Sequence, residues 1–169
     1  MSASLSANRS KTVKRWTVLL STRRGLKSPF TPAAYKQLIR KILAHPSFIA
    51  LPESFSEVSI LLCSDDEIQK LNREYRRKDK ATDVLSFPQE QHWDKGLSSP
   101  SLGDLVISLE TAKRQARRFR WTLRQEVIRL TTHGLLHLAG YDHEKVSAKE
   151  AQRMRRAERQ VVLALGKKS

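Results

Sequence analysis

Residues 132–144 read Thr-His-Gly-Leu-Leu-His-Leu-Ala-Gly-Tyr-Asp-His-Glu. His133 and His137 are four apart, so a helix stacks their imidazoles on one face. Gly140 follows three residues after His137, where a helix can end in the left-handed conformation that glycine adopts at little cost. The chain then turns, and His143 can return toward the first two. Three neutral imidazoles converging in this way suit a borderline divalent cation, with Zn2+, one ion per chain, the first choice. Three protein ligands leave a coordination position for water, which is the catalytic arrangement. A single histidine on an apolar face is more often a core residue than a ligand. Here three of the chain's five histidines fall within eleven residues around a glycine, and that clustering carries the metal reading.

The spacing His-x3-His-x5-His is shared with the metzincin metalloproteases, which carry Glu directly after the first His as general base. This chain has Gly134 there. The ligand spacing is kept and the protease base is missing.

Working outward, the nearly continuous apolar residues beyond Leu130 mark a central, buried helix with the metal site at its end. Thr122-Leu123-Arg124-Gln125 opens that helix as a capping box. Val127, Leu130 and Leu138 point to the core, with the two histidines on an adjacent stripe. Before it, residues 111–120 form a helix with Ala112, Ala116 and Phe119 inward and Lys113, Arg114, Arg117 and Arg118 outward. After it, Ser147-Ala148-Lys149-Glu150 caps a last helix that lays down Ala151, Met154, Val161 and Leu165 and stops at Gly166. Upstream, Val13 to Leu20 reads as a first strand. Thr31 and Pro32 open a helix to about Ala44 with Tyr35, Leu38, Ile39 and Ile42 as its stripe, ended by an exposed His45 and Pro46. Glu57 to Cys63 is a second strand, whose Ile60-Leu61-Leu62 run predicts burial on both faces. Ser64 to Glu67 is another capping box, and its helix carries Ile68, Leu71 and Tyr75 inward. Val84 to Phe87 and Asp104 to Ser108 are strands. The polar residues between them, 89–101, form a flexible loop in which His92 and Trp93 serve packing in preference to the alternative, a base-stacking contact. The expected fold is α+β: a mixed four-stranded sheet packed with about five helices.

Length and composition predict a flexible basic tail over residues 1–12 and a single catalytic domain over 13–166. No apolar run approaches the eighteen or so residues of a membrane span. The lone Cys63 rules out an internal disulfide, and its apolar setting suits a reducing, cytoplasmic compartment. The net charge is +15, from 32 basic and 17 acidic residues. No Asp or Glu precedes Glu53, whereas Arg9, Lys11, Lys14, Arg15 and further cations do. A balance this basic points to a polyanionic partner such as RNA. A Ser-rich, acid-poor start is also the composition of an organelle targeting segment, although here a strand-like run begins soon after it.

The helix after Ser64 ends in Arg76-Arg77-Lys78-Asp79-Lys80. Cations there suit the helix dipole, and arginine also suits bidentate contact with phosphate. Arg77, Lys78 and Lys80 are therefore candidate RNA contacts.

The string His133-Gly134-x-Leu136-His137-Leu138-x-Gly140-Tyr141-Asp142-His143 resembles the signature of the YbeY endoribonuclease (rRNA maturation factor) family. Two further strings agree: Leu71-Asn72-x-x-Tyr75-Arg76-x-Lys78-Asp79, followed by Thr82-Asp83-Val84-Leu85-Ser86-Phe87-Pro88, and Leu102-Gly103-Asp104-Leu105-Val106-Ile107-Ser108. Ala81 departs from the pattern, where many members have Pro; this changes loop stiffness and touches no proposed ligand. The resemblance implies a single-strand-preferring, metal-dependent endoribonuclease of ribosome maturation and quality control, tied to the 3′ end of 16S rRNA. It also implies small-subunit ribosomal proteins and an Era-type GTPase as partners. Arg76 matches the family's arginine and is the candidate catalytic cation against charge developing on phosphorus. Asp142 is a candidate for orienting a histidine ring. Two other classes fit the same residues: a zinc hydrolase of another substrate, including a metzincin-like peptidase, and a non-catalytic RNA-binding assembly factor with structural zinc. The missing acid at Gly134 and the net charge weigh against the first, and the lack of an accessible fourth thiol ligand weighs against the second.

Overall fold

The structure, a computed structural model, describes residues 15–48, 51, 55–89, 101–141 and 148–165. Strand β1 (Thr17–Thr22) leads through α1 (Pro32–Leu43) and a short 3-10 turn (Pro46–Phe48) to β2 (Glu57–Cys63). Then come α2 (Asp65–Arg76), β3 (Val84–Pro88), β4 (Ser101–Ser108), α3 (Leu109–Phe119), α4 (Leu123–Leu138) and α5 (Ala148–Leu165). The sheet order is β1-β2-β4-β3. β1, β2 and β4 run parallel and β3 antiparallel to β4, so the α+β mixed sheet with five helices is what the chain builds. The proposed tail over residues 1–12, His92 with Trp93, and the cap at Ser147 lie outside the described residues.

Period-two alternation sorts the strand side chains into two layers. Val18, Val58, Ile60, Leu62, Leu105 and Ile107 face one side, where helices α1, α4 and α5 add Tyr35, Ile39, Leu130, Leu135 and Met154. Cys63, Leu85 and Val106 face the other and meet Ile68 of α2. Burial pushes the Cys63 thiol up to about 12, so it is a packing residue rather than a nucleophile.

The second layer is thinner than the sequence predicts. Leu61 and Leu71 are only half-buried, and Tyr75 is 62% exposed. A single helix covers this face, and Tyr75 lies on its outer edge against the rim of Phe87 at 5.3 Å. An apolar groove of about 700 Å3 remains, lined by Leu19, Leu61, Leu71, Tyr75, Phe87 and Val106 among others.

Phe119 is also displaced from its expected place. It is 49% exposed, because the helix ends there and Arg120 turns left-handed at φ 57°. His45 is half-buried rather than exposed, with Nδ1 3.1 Å from the Ser47 hydroxyl. Strand β4 starts three residues earlier than its apolar run suggests, at Ser101. It takes three steps, Ser101 to Asp104, where β2 takes two, Glu57 to Ser59, which is a bulge. Gly103 sits in it at φ 135°, where a Cβ would lie 2.3 Å from the Phe87 carbonyl oxygen; only glycine fits.

Candidate active site

Helix α4 is built to hold its last two turns in place. Thr122 and Gln125 form the reciprocal capping box: Thr122 Oγ1 accepts from the Gln125 N–H, and Gln125 Oε1 accepts from the Thr122 N–H at 2.8 Å. Val127, Ile128, Leu130, Leu135, Leu136 and Leu138 are buried. The buried threonines are satisfied within the helix, Thr131 by the Val127 carbonyl and Thr132 by the Ile128 carbonyl. Tyr35 Oη lies 2.5 Å from Thr131 Oγ1.

On the half-buried side of this helix, His133 Nε2 and His137 Nε2 are 3.2 Å apart, with the rings edge to face at 4.8 Å. Two nitrogens bonded tetrahedrally to one zinc at about 2.0–2.1 Å would be about 3.3 Å apart. The pair therefore has the spacing of two ligands to a single ion. Gly140 takes φ 85°, and its N–H reaches the His137 carbonyl while Tyr141 N–H reaches that of Leu136, each at 3.0 Å. This is the helix stop expected from the sequence. His143 and Asp142 lie beyond it, outside the described residues. Among the described residues no set of three metal-ligating side chains forms.

The described residues instead supply a partner that sequence reasoning missed. Glu158 of α5 places Oε2 2.7 Å from His133 Nδ1. A carboxylate there accepts a hydrogen bond from Nδ1–H, which fixes the tautomer and leaves Nε2 as the lone-pair nitrogen. Glu158 falls between Met154 and Val161 at helical spacing, on the stripe that goes into the core; an acid on that stripe was the available signal. Arg129, one turn before His133, binds the fully buried Glu126 through Nε and Nη2 and lies 3.8 Å from both Glu158 and Asp83. Burial works against the Arg129 charge, but the bonds to Glu126 and the nearby carboxylates outweigh it and raise its pKa. Three carboxylates thus surround one guanidinium beside the imidazole pair. Two imidazole nitrogens at this spacing, one ring held from behind by a carboxylate, fit two of the ligands of a zinc ion.

Arg76 reaches the same cleft from α2. Its Nη2 donates to the Ser86 carbonyl at 3.0 Å, and Ser86 Oγ donates to the Gly134 carbonyl at 3.3 Å. A cleft of about 730 Å3 is lined by Arg76, Lys78, Lys80, Ser86, His133 and His137 among others. Arg77 is not in its wall; it is the left-handed residue that ends α2, at φ 57°. The buried Asn72 holds the basic turn by donating to the Lys80 carbonyl at 2.7 Å.

Gly134 explains the absent protease base. A Cβ there would lie 2.1 Å from Leu105 Cδ1, and Leu105 is itself fully buried. A side chain at this position would have to displace the buried Leu105 side chain, so the residue after His133 points at the sheet rather than into the cleft.

Fold and site together define an α+β protein with a histidine pair, backed by a carboxylate, at the wall of a basic cleft. A family model for endoribonuclease YbeY matches residues 23–166, and the chain belongs to that family. Proteins named endoribonuclease YbeY include one from Anaeromyxobacter, 50% identical over 69% of this chain and 58% of its own length. Another, from Myxococcus xanthus, is 48% identical over 70% of this chain and 40% of its own. A third, from Persephonella marina, is 44% identical over 81% and 84%. The chain therefore spans about half the length of the first two. The solution structure of a Thermotoga maritima protein superposes with a TM-score of 0.56 at 25% identity, covering 88% of this chain and 89% of that one.

Proposed function

We propose that this chain is a metal-dependent endoribonuclease that cleaves single-stranded RNA in the cleft between α2, β3 and α4. The observation that carries it is the 3.2 Å approach of His133 Nε2 to His137 Nε2 in a cleft that also holds Arg76. Zinc held by His133, His137 and His143 would supply a Lewis acid and a water ionisable near neutral pH. Glu158 keeps the His133 tautomer that offers Nε2. Arg76, anchored at Ser86, presents its fork to the scissile phosphate, where contact strengthens as negative charge grows. Lys78 and Lys80 neutralise flanking phosphates. Arg77, at the outside of the turn, contributes only to the general field. An unstacked strand can be drawn across such a basic wall, which supports the single-strand preference.

Family membership supports the finer reading: processing of 16S rRNA at its 3′ end, ribosome quality control, and small-subunit ribosomal proteins and an Era-type GTPase as partners. Among the described residues no helix is long and apolar enough to cross a membrane. The buried reduced thiol supports the cytoplasm as the place of action.

The test is single-turnover cleavage of a single-stranded RNA, with metal analysis of the same preparation. Cleavage should be lost with a strong chelator and return with Zn2+. His133→Ala and His137→Ala should each lose most of the bound metal. Chelator-resistant cleavage, or stoichiometric zinc in both variants, overturns the proposal.

A further inference from the structure

Two aromatic rings project from the protein at the start of α4, the end away from the histidines. Phe119 is 49% exposed and Trp121 43%. Their centroids are 5.6 Å apart with the planes tilted by 41°. The reversal between α3 and α4 puts them there. Arg120 is left-handed, its N–H bonds to the Arg117 carbonyl at 3.2 Å, and the Trp121 N–H bonds to the Ala116 carbonyl at 2.8 Å. A residue with a side chain holds a conformation that glycine would take more easily.

Around the rings the charge is of one sign. No Asp or Glu occurs from Thr111 to Gln125, a stretch with six Lys and Arg residues. Arg114 is committed to Asp65, and Arg124 stacks on Phe30 at 4.3 Å. Among the described residues no carboxylate pairs with Arg117, Arg118 or Arg120. Arg118 lies 5.8 Å over the Phe119 ring.

We propose that Phe119 and Trp121, with Arg117, Arg118 and Arg120, form a stacking platform for a single-stranded segment of RNA that continues out of the histidine cleft. This rests on the proposed RNA-cleaving function and gives it a second contact. Exposed ring faces beside unopposed cations match a flexible polyanion with planar bases, since each base has a face to stack and each linkage a charge to neutralise. Two rings are too little apolar area for the core of a protein interface. The geometry also suits one strand. His133 lies ten residues into α4, about 15 Å along its axis, so platform and cleft stand toward opposite ends of one helix. At about 3.4 Å per stacked nucleotide, about four nucleotides separate the two contacts.

The experiment uses the full chain and a 2′-O-methyl oligouridylate of twelve nucleotides, with a trinucleotide as the short control. The twelve-mer should quench tryptophan fluorescence in the parent and much less in Trp121→Phe. The double variant Phe119→Ala, Trp121→Ala should bind the twelve-mer about fivefold or more weakly, the effect of losing one or two stacked bases. It should bind the trinucleotide and inorganic polyphosphate as the parent does. Arg120→Gly, which suits the turn, should keep the fold and weaken both the twelve-mer and polyphosphate. If the double variant binds the twelve-mer like the parent and the quenching survives in Trp121→Phe, RNA is not the occupant and the proposal falls. Quenching without any RNA cleavage would sink the proposed activity and keep the platform; cleavage without platform effects would do the reverse.

Discussion

Arg76 is where binding and chemistry separate most cleanly. It is anchored to Ser86, whose hydroxyl is anchored to the carbonyl of Gly134 between the two histidines. Its guanidinium is thus held by the same strand that positions the cleft wall. Arg76→Ala should slow single-turnover cleavage about a hundredfold or more, the scale for removing one transition-state donor, with RNA affinity and metal content changing much less. Arg76→Lys should rescue only partly, since an ammonium lacks the fork. A parent-like rate for Arg76→Ala at saturating RNA would reduce Arg76 to a binding residue. The histidine pair was legible in the sequence because the two stand at fixed spacing on one helix, whereas Arg76 was picked out by the resemblance of its surrounding string to the family's. Glu158 was not legible, because its meeting with His133 spans two helices and no local period encodes that.

At the scale of elements, α2 and α3 are clamped through Asp65, and the expected capping box at the start of α2 is only half formed. Ser64 does cap α2 at Glu67 N–H, but the Glu67 carboxylate turns away to bind Arg23. Asp65 accepts from Ser108 Oγ at 2.5 Å and Thr111 Oγ1 at 2.6 Å and pairs with Arg114. Partial burial pushes its carboxyl up, but those bonds outweigh it and hold the pKa below the ordinary value. A depressed native pKa means that the unfolded chain binds more protons. The stabilisation is then complete above about pH 4 and is lost as pH falls through the native value. Asp65→Asn should cost about 1–3 kcal/mol at pH 7, and urea unfolding should show the gap to the parent closing below about pH 4. A gap that does not narrow at all as the pH falls below about 4 would make it a packing effect. Helix and strand identities followed from apolar period, whereas Phe119 did not. Its helical phase points inward, and the reversal at Arg120 overrides it without the glycine that usually marks such a stop.

Over the whole molecule, the excess of cations sets how RNA is held. Each phosphate neutralised releases counterions, giving a log–log salt slope of about −0.7 per contact on single strands. Arg76, Lys78 and Lys80 in the cleft alone should give about −2, and any further contact steepens it. A slope near zero would separate the +15 charge from nucleic acid. The sheet order has a different kind of consequence, for how the chain folds. β4 is an interior strand that pairs with both β2 and β3, and β2 pairs with it across a long span, Glu57 with Ser101 and Cys63 with Ser108. Leu105 and Ile107 complete one apolar layer while Val106 completes the other. A growing chain therefore carries β2 with one edge unpaired until residue 108 has been made, and neither layer closes before then. Such non-local pairing is slow to find, and once found it closes both layers together, so assembly and loss of the two layers occur as one cooperative event.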